Sequence, residues 1–579
     1  MRRTVFAVLG ILCLAGCSTE KSPREFPALV EEFVYGSLAL APASATAAGY
    51  HQHDGIALDE QLDDWSEAGV ERQRRFYRDI NVRLDRFDAA SLSPEDQADH
   101  AVMKDQVTLA LLELDTIQEW RHKPTFYVEL LGNALFSPFV LEYAPKSARY
   151  RAIVARLEKL PAFLEQARKN LADSPEIWTT VAREENEGNI GLINGPLRDG
   201  APADLHLRYD QAAMLAIPAL RAFNDYLKND LAKRPADWRL GQERYARKFR
   251  HALGTDKQPA DLLGEAEADL KAVRKQMWDL ALPLHHKFYP AHKDPVDLNL
   301  IVGETLARIG ERHSTPAQYF ADARRDLEEA REFVKKKNLL TLPPRDNLQV
   351  IETPVFMRGI YSVGGFNSAP ALEPQLGAFY WLTPIPKDWP KERIESKLRE
   401  YNFHGLKLLT IHEAMPGHYV QLEYGNDVQP KGRRLLRSVF GNGPYVEGWA
   451  VYITETMLDE GYLDGSVELR LVFLKQQLRM IANTILDIRL QTMNMSDRDA
   501  LDLMLKQCFQ EKEEAEGKLR RAKLSSTQLP TYYAGWRDWR RLRAEYQRQK
   551  GAAFRLAEFH ERMLKAGALP MNVLARLTK

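Results

Sequence analysis

HEAMPGH, residues 412–418, sets two histidines six positions apart around a Pro-Gly pair. In an H-E-x-x-H helix the histidines are four apart and share one face, because four residues turn the chain through about 400°. Six residues turn it through about 600°, so on an unbroken helix His418 would point about 120° away from His412. Pro416 lacks the N–H that would bond the carbonyl of His412, and it disfavours α geometry at Met415. The helix is therefore expected to break or bulge inside the motif. If Pro416 and Gly417 protrude as a two-residue insertion, His418 returns to the face of His412. Glu413 then sits one residue past the first imidazole, where the base of a zinc-water site belongs. The competing reading is a histidine pair that caps and packs a turn without metal.

Upstream, KERIESKLREYNFHGLKLLTIHEA (391–414) reads as a helix in which Leu406, Leu409 and Ile411 supply part of an apolar stripe. The first half of the motif thus falls at a buried helix end. His404, eight residues earlier, reads either as packing or as support for the site. Downstream, the loop Gly441-Asn442-Gly443 and Pro444 open a helix through YVEGWAVYITETMLDE (445–460). Glu447 and Glu455 are eight apart and share a flank of it.

Before the motif, LPPRDNLQVIETPVF (342–356) and LGAFYWLTPIP (376–386) read as short strands, and GGFNSAPALEP (364–374) as the loop between them. GAFYWLT (377–383) is either an internal strand or an edge that would receive an extended peptide. From about 25 to 340 apolar residues recur at three and four spacing, as in PKSARYRAIVARLEKLPAFLEQARKNLA (145–172). The expected fold class is mainly α with one small sheet beside the motif helix. Residues 25–340 form a helical region and 341–579 carry the sheet and motif helices, joined as one continuous unit.

Lysine plus arginine equals aspartate plus glutamate at 80 each, so no global field steers nucleic acid to the chain. The basic clusters KLRRAK (518–523) and RDWRRLR (537–543) read as solvated helix faces. At the N-terminus a basic MRR, an apolar run and Leu14-Ala15-Gly16-Cys17 resemble a signal peptide ending in a bacterial lipobox. Residues 1–16 would be the leader, Cys17 the lipidated residue and 17–24 a polar linker. That resemblance implies a membrane-anchored lipoprotein facing the periplasm, and Ser18 after the cysteine favours the outer membrane. Cys508 is then the sole thiol left, so any metal must be held by histidine and carboxylate.

The run E-G-W-A-V-Y-I-T-E at 447–455 resembles a helix of aminopeptidase-N-like zinc peptidases, in which the first glutamate binds metal. HEAMPGHYVQ followed by VEGWAVYITE resembles the bacterial family catalogued as domain of unknown function 885. Softer counterparts are LAPASATAAGY, TYYAGWRDWRRLR and EFHERMLKAGALPMNVL, so the likeness spans most of the chain. That family is similar to gluzincin metallopeptidases, the class of angiotensin-converting enzyme and neurolysin, which implies a large multi-helix architecture. The resemblance implies one zinc ion on His412, His418 and Glu447, with Glu413 as general base. Tyr532 or its neighbour Tyr533 would donate to the oxyanion, and Glu455 and Asp487 would support the ligands from outside. Tyr419 and Gln491 stand where many members carry histidine, and Gln528 is kept without the preceding Pro-Gly. The implied activity is hydrolysis of short peptides. The rivals are a catalytically inactive lipoprotein that binds peptides or an envelope partner, and a zinc hydrolase of other amides or esters.

Overall fold

Apolar spacing brings distant parts of the chain into shared cores. The computed structural model describes residues 23–292, 297–358 and 363–578; the leader and Cys17 lie outside them. One cluster draws on Phe26 to Val107 and then on Tyr245 to Ala575, so residue 340 does not separate two cores. A smaller cluster, Tyr127 to Leu231, is built from the helices Pro124–Val140, Lys146–Asn170, Glu176–Leu192 and His206–Asn229. Arg156, fully buried, ties it to the 42–61 segment by donating to Thr46 Oγ1 at 2.6 Å and the Gln61 carbonyl at 2.9 Å. No helix among the described residues is long and apolar enough to cross a membrane.

The small sheet contains β1 (Leu348–Glu352), β2 (Gly364–Asn367) and β3 (Ala378–Leu382). Their spatial order is β1-β3-β2, with β1 parallel to β3 in register Val350↔Tyr380 and β2 antiparallel to it in register Phe366↔Tyr380. GAFYWLT is therefore the central strand, buried along its length, and offers no edge to a peptide. The edge next to the motif is β2, the segment expected as a loop. Alternation along β3 sends Ala378, Tyr380 and Leu382 into the main core and Phe379 and Trp381 against Leu141. Tyr380 Oη lies 3.2 Å from Thr410 Oγ1, which fixes the sheet against the motif helix.

The main core includes α1 (Phe26–Leu40), α2 (Pro94–Leu112), α3 (Phe403–Glu413), α4 (His418–Gly425), α5 (Gly443–Asp459), α6 (Val467–Thr492), α7 (Lys512–Ala522) and α8 (Thr531–Lys550), of which the last six frame the site. The single helix expected over 391–414 is two, because Asn402 caps the second by accepting from the N–H groups of His404 and Gly405. Leu406 and Ile411 are buried as expected, and Leu409 faces a cleft.

Candidate metal centre

The motif breaks where its proline requires, but not by bulging outward. Helix α3 ends at Glu413 and α4 begins at His418, with a cis Met415–Pro416 peptide between them. Ala414 through Gly417 are buried, so Pro416-Gly417 do not protrude. The turn folds inward because the Trp449 indole N–H donates to the Pro416 carbonyl at 3.1 Å and the Gly417 N–H to the Ile411 carbonyl at 3.0 Å. Redirecting the chain, rather than looping out two residues, returns His418 to His412.

The two imidazole rings stand 4.9 Å apart at 83°. Glu447, on the first turns of α5, sets Oε2 at 3.4 Å from Nε2 of His412 and at 3.4 Å from Nε2 of His418. Oε2 is buried and accepts no hydrogen bond. Ligands 2.0–2.1 Å from a tetrahedral zinc lie about 3.3 to 3.4 Å from one another, so this spacing fits a metal better than a direct bond. Burial opposes ionisation of Glu447, but the two imidazoles of His412 and His418 beside it outweigh burial and hold the carboxyl well below its usual range. A second group, His285, His292 and Glu304, differs: His285 Nε2 and Glu304 Oε2 are 2.7 Å apart, an ordinary hydrogen bond.

Two glycines bring the remaining parts together. A Cβ on Gly448, next to Glu447, would lie 2.3 Å from the Gly535 carbonyl carbon, and one on Gly535 would lie 1.9 Å from the Pro444 carbonyl oxygen. Helices α5 and α8 thus touch backbone to backbone, and Tyr532 on α8 stacks over His412 at 6.3 Å and 18°. Burial and the nearby Glu447 charge push the Tyr532 hydroxyl pKa up, so it keeps its proton as a donor. His412, Glu413 and Tyr532 line one cleft, whose rim includes Gly364 of β2.

Other expected residues lie elsewhere. Tyr533 points the other way and donates to Asp269 at 2.7 Å, beside Arg537, so of these two neighbours it is Tyr532 that lines the cleft. Glu455 accepts from the Trp536 indole at 2.8 Å and from Gln477 at 3.4 Å, holding α8 and α6 against α5 two turns beyond Glu447. Asp487 accepts from Tyr245 Oη at 2.6 Å and the Thr527 N–H at 2.8 Å, and burial raises its pKa to about 7; it makes no contact with the triad. Gln491 ties the Leu240 N–H and the Ser525 carbonyl, and Tyr419 donates to the Arg345 carbonyl at 2.7 Å. Neither departure from histidine removes a donor from the triad. His404 is buried in packing against Phe403.

The KLRRAK segment is not a solvated face: Lys518, Arg520 and Arg521 line the cleft. Lys518 shares the buried side of α7 with Ala515 and Ala522, at the three and four spacing that marks a core stripe. That register was the available signal. Asn483 and Arg479 of α6 complete the same wall.

A family described as bacterial protein of unknown function (DUF885) matches residues 42–577. No curated protein matches the chain. Two solved structures, each described as a "putative lipoprotein", share its fold. One from Shewanella oneidensis, of unknown function, is 29% identical with a TM-score of 0.78, covering 96% of this chain and 99% of that one. Another from Colwellia psychrerythraea is 16% identical with a TM-score of 0.77 over the same shares, a likeness of fold alone.

Proposed function

The chain belongs to the DUF885 family of bacterial proteins, and we propose that it is a zinc-dependent metallopeptidase of gluzincin-like architecture. One observation carries the reading: two imidazole nitrogens each stand 3.4 Å from a buried carboxylate oxygen that accepts no hydrogen bond, beside a glutamate that opens to a cleft. His412, His418 and Glu447 would hold one zinc ion, which when bound acidifies a water and polarises a carbonyl.

The chain's own residues supply the rest. Glu413, at the end of α3, takes a proton from the water that adds to the amide carbon and returns it to the nitrogen as the C–N bond breaks. Tyr532 donates a hydrogen bond to the oxygen on which negative charge develops. His412 is held under the Tyr532 ring, and Gln421 anchors α4 to α5 by donating to the Tyr445 carbonyl at 3.1 Å. The lipobox-like leader and the lipoprotein description of the Shewanella oneidensis structure support anchoring at a periplasm-facing membrane, and the substrates in this reading are short peptides.

The test is metal analysis followed by turnover. Zinc-replete protein is expected to carry one zinc per chain and to lose it in His418→Ala. Glu413→Gln is expected to keep the zinc and lose about 10²- to 10⁴-fold in peptide turnover. Protein that takes up no zinc, or a zinc-loaded Glu413→Gln as active as the parent, would overturn the reading.

A further inference from the structure

We propose that the cleft recognises its substrate by a free C-terminal carboxylate, with Lys518 and Arg521 of α7 as the subsite; this rests on the peptidase reading above and makes the enzyme a C-terminal exopeptidase.

Four cationic side chains line the cleft, Arg479, Lys518, Arg520 and Arg521, against two anionic ones, Glu413 and Glu514. Glu514 is already engaged: it pairs with Arg479, which also donates to Tyr401 Oη at 2.8 Å, and Lys397 lies 3.8 Å from it. Arg520 reaches out of the cleft to Glu184. Lys518 is only 6% exposed, and among the described residues no carboxylate comes within ion-pair distance of its ammonium. A buried ammonium without a partner is costly, and a ligand carboxylate would complete it.

The surroundings agree with an anion-binding role. Burial, then Arg479 and Arg521, hold the Lys518 pKa well below its usual range, a penalty that an arriving carboxylate would offset. Arg521 donates to Gln528 Oε1 at 3.2 Å, and Gln528 in turn reaches Tyr532 Oη at 3.5 Å, which links the basic wall to the residues beside the triad. Asn483, 4% exposed, presents to the same cleft and its Oδ1 accepts no hydrogen bond, so it is free to accept from a peptide N–H. A carboxylate is the one anion that every peptide carries, and it lies next to the last amide bonds. A chain interior offers none at a fixed distance, so this wall selects for ends.

The experiment compares pooled N-acetyl tetrapeptides as free acids and as C-terminal amides, using the zinc-loaded full chain and mass-spectrometric product analysis. Acids are expected to turn over at least tenfold faster in kcat/KM, with cleavage near the C-terminus. In Lys518→Met and Arg521→Gln the acid-to-amide ratio should fall toward one, chiefly through KM, while Lys518→Arg should keep part of it. In parallel, binding of both pools to zinc-loaded Glu413→Gln is measured by calorimetry, with at least tenfold tighter binding of acids expected. Equal turnover of acids and amides by the parent overturns the subsite and leaves the peptidase reading standing. No turnover of either pool by zinc-loaded protein overturns the peptidase reading; the carboxylate subsite is then kept by tighter acid binding that Lys518→Met abolishes, and overturned by equal binding.

Discussion

Gly417 decides whether the two histidines meet. A Cβ there would sit 1.9 Å from the His412 carbonyl oxygen and 2.3 Å from that of Ile411, closer than any side chain tolerates. These carbonyls belong to the last turn of α3, so Gly417→Ala must push His418 away from His412 or unravel the helix end. On the zinc reading proposed above, Gly417→Ala is expected to lose stoichiometric zinc and about 1–3 kcal/mol of stability, read by metal analysis and by urea unfolding. Normal zinc binding in that variant would show that the turn relaxes without moving the ligands. At this scale much of the site was legible. The two histidines, Glu413 and Glu447 stand in dense motifs, and the missing donor of Pro416 foretold the break. The inward course of the turn was not legible, because it depends on Trp449, 33 residues on, whose indole holds the Pro416 carbonyl. Tyr532 and Tyr533 were indistinguishable as neighbours in sequence, and only the orientation of α8 separates them.

Between elements, the contact that matters is the crossing of α5 and α8. Gly448 and Gly535 let the two backbones touch, which sets the height of Glu447 relative to Tyr532. Gly448→Ala inserts a methyl group where the Gly535 backbone lies, so the helices must part by a fraction of the carbon's diameter. The expected result is weaker zinc binding, by about tenfold for a loss near 1.4 kcal/mol, with Glu447 displaced relative to the histidines. A competition titration against a chelator of known affinity reads it; unchanged zinc affinity would mean that the crossing does not position the ligand. The helices themselves were readable from apolar spacing, including the start of α5 after Asn442, which caps it by accepting from the Tyr445 N–H. The sheet was only partly readable. Gly364, Gly365 and Asn367 are poor strand formers, so β2 exists because β3 offers it a partner, a tertiary effect that local composition does not carry. The basic run of α7 misled for a related reason: its composition suggests solvent, while its register with Ala515 and Ala522 turns Lys518 inward.

Across the whole molecule, the N-terminal helices are fastened to the motif region by charges more than 300 residues apart in sequence. Asp99 on α2 accepts from Arg433 Nε at 2.6 Å through one oxygen and from Arg437 Nε at 2.8 Å through the other, and Asp99 and Arg437 are each 2% exposed. Arg437 also reaches Glu95 at 2.8 Å, and Arg433 reaches Asp96 at 2.7 Å. Neither sequence segment announces the other, so this coupling is invisible before the chain is folded. Burial raises the Asp99 pKa despite both arginines, which shows that desolvation consumes much of what the pairing gains. The cluster is therefore weak evidence of net stabilisation, yet removing one member is costly, because the guanidinium groups would lose their shared carboxylate in a buried place. Asp99→Ala is expected to cost about 3 kcal/mol, at the lower end for breaking a buried pair because Glu95 and Asp96 remain. Urea unfolding measures it, and a change within about 0.5 kcal/mol, the range of ordinary surface substitutions, would refute the fastening role. The folded Asp99→Ala protein should still bind one zinc per chain, since α1 and α2 contribute no ligand and the triad is held by α3, α4 and α5 alone.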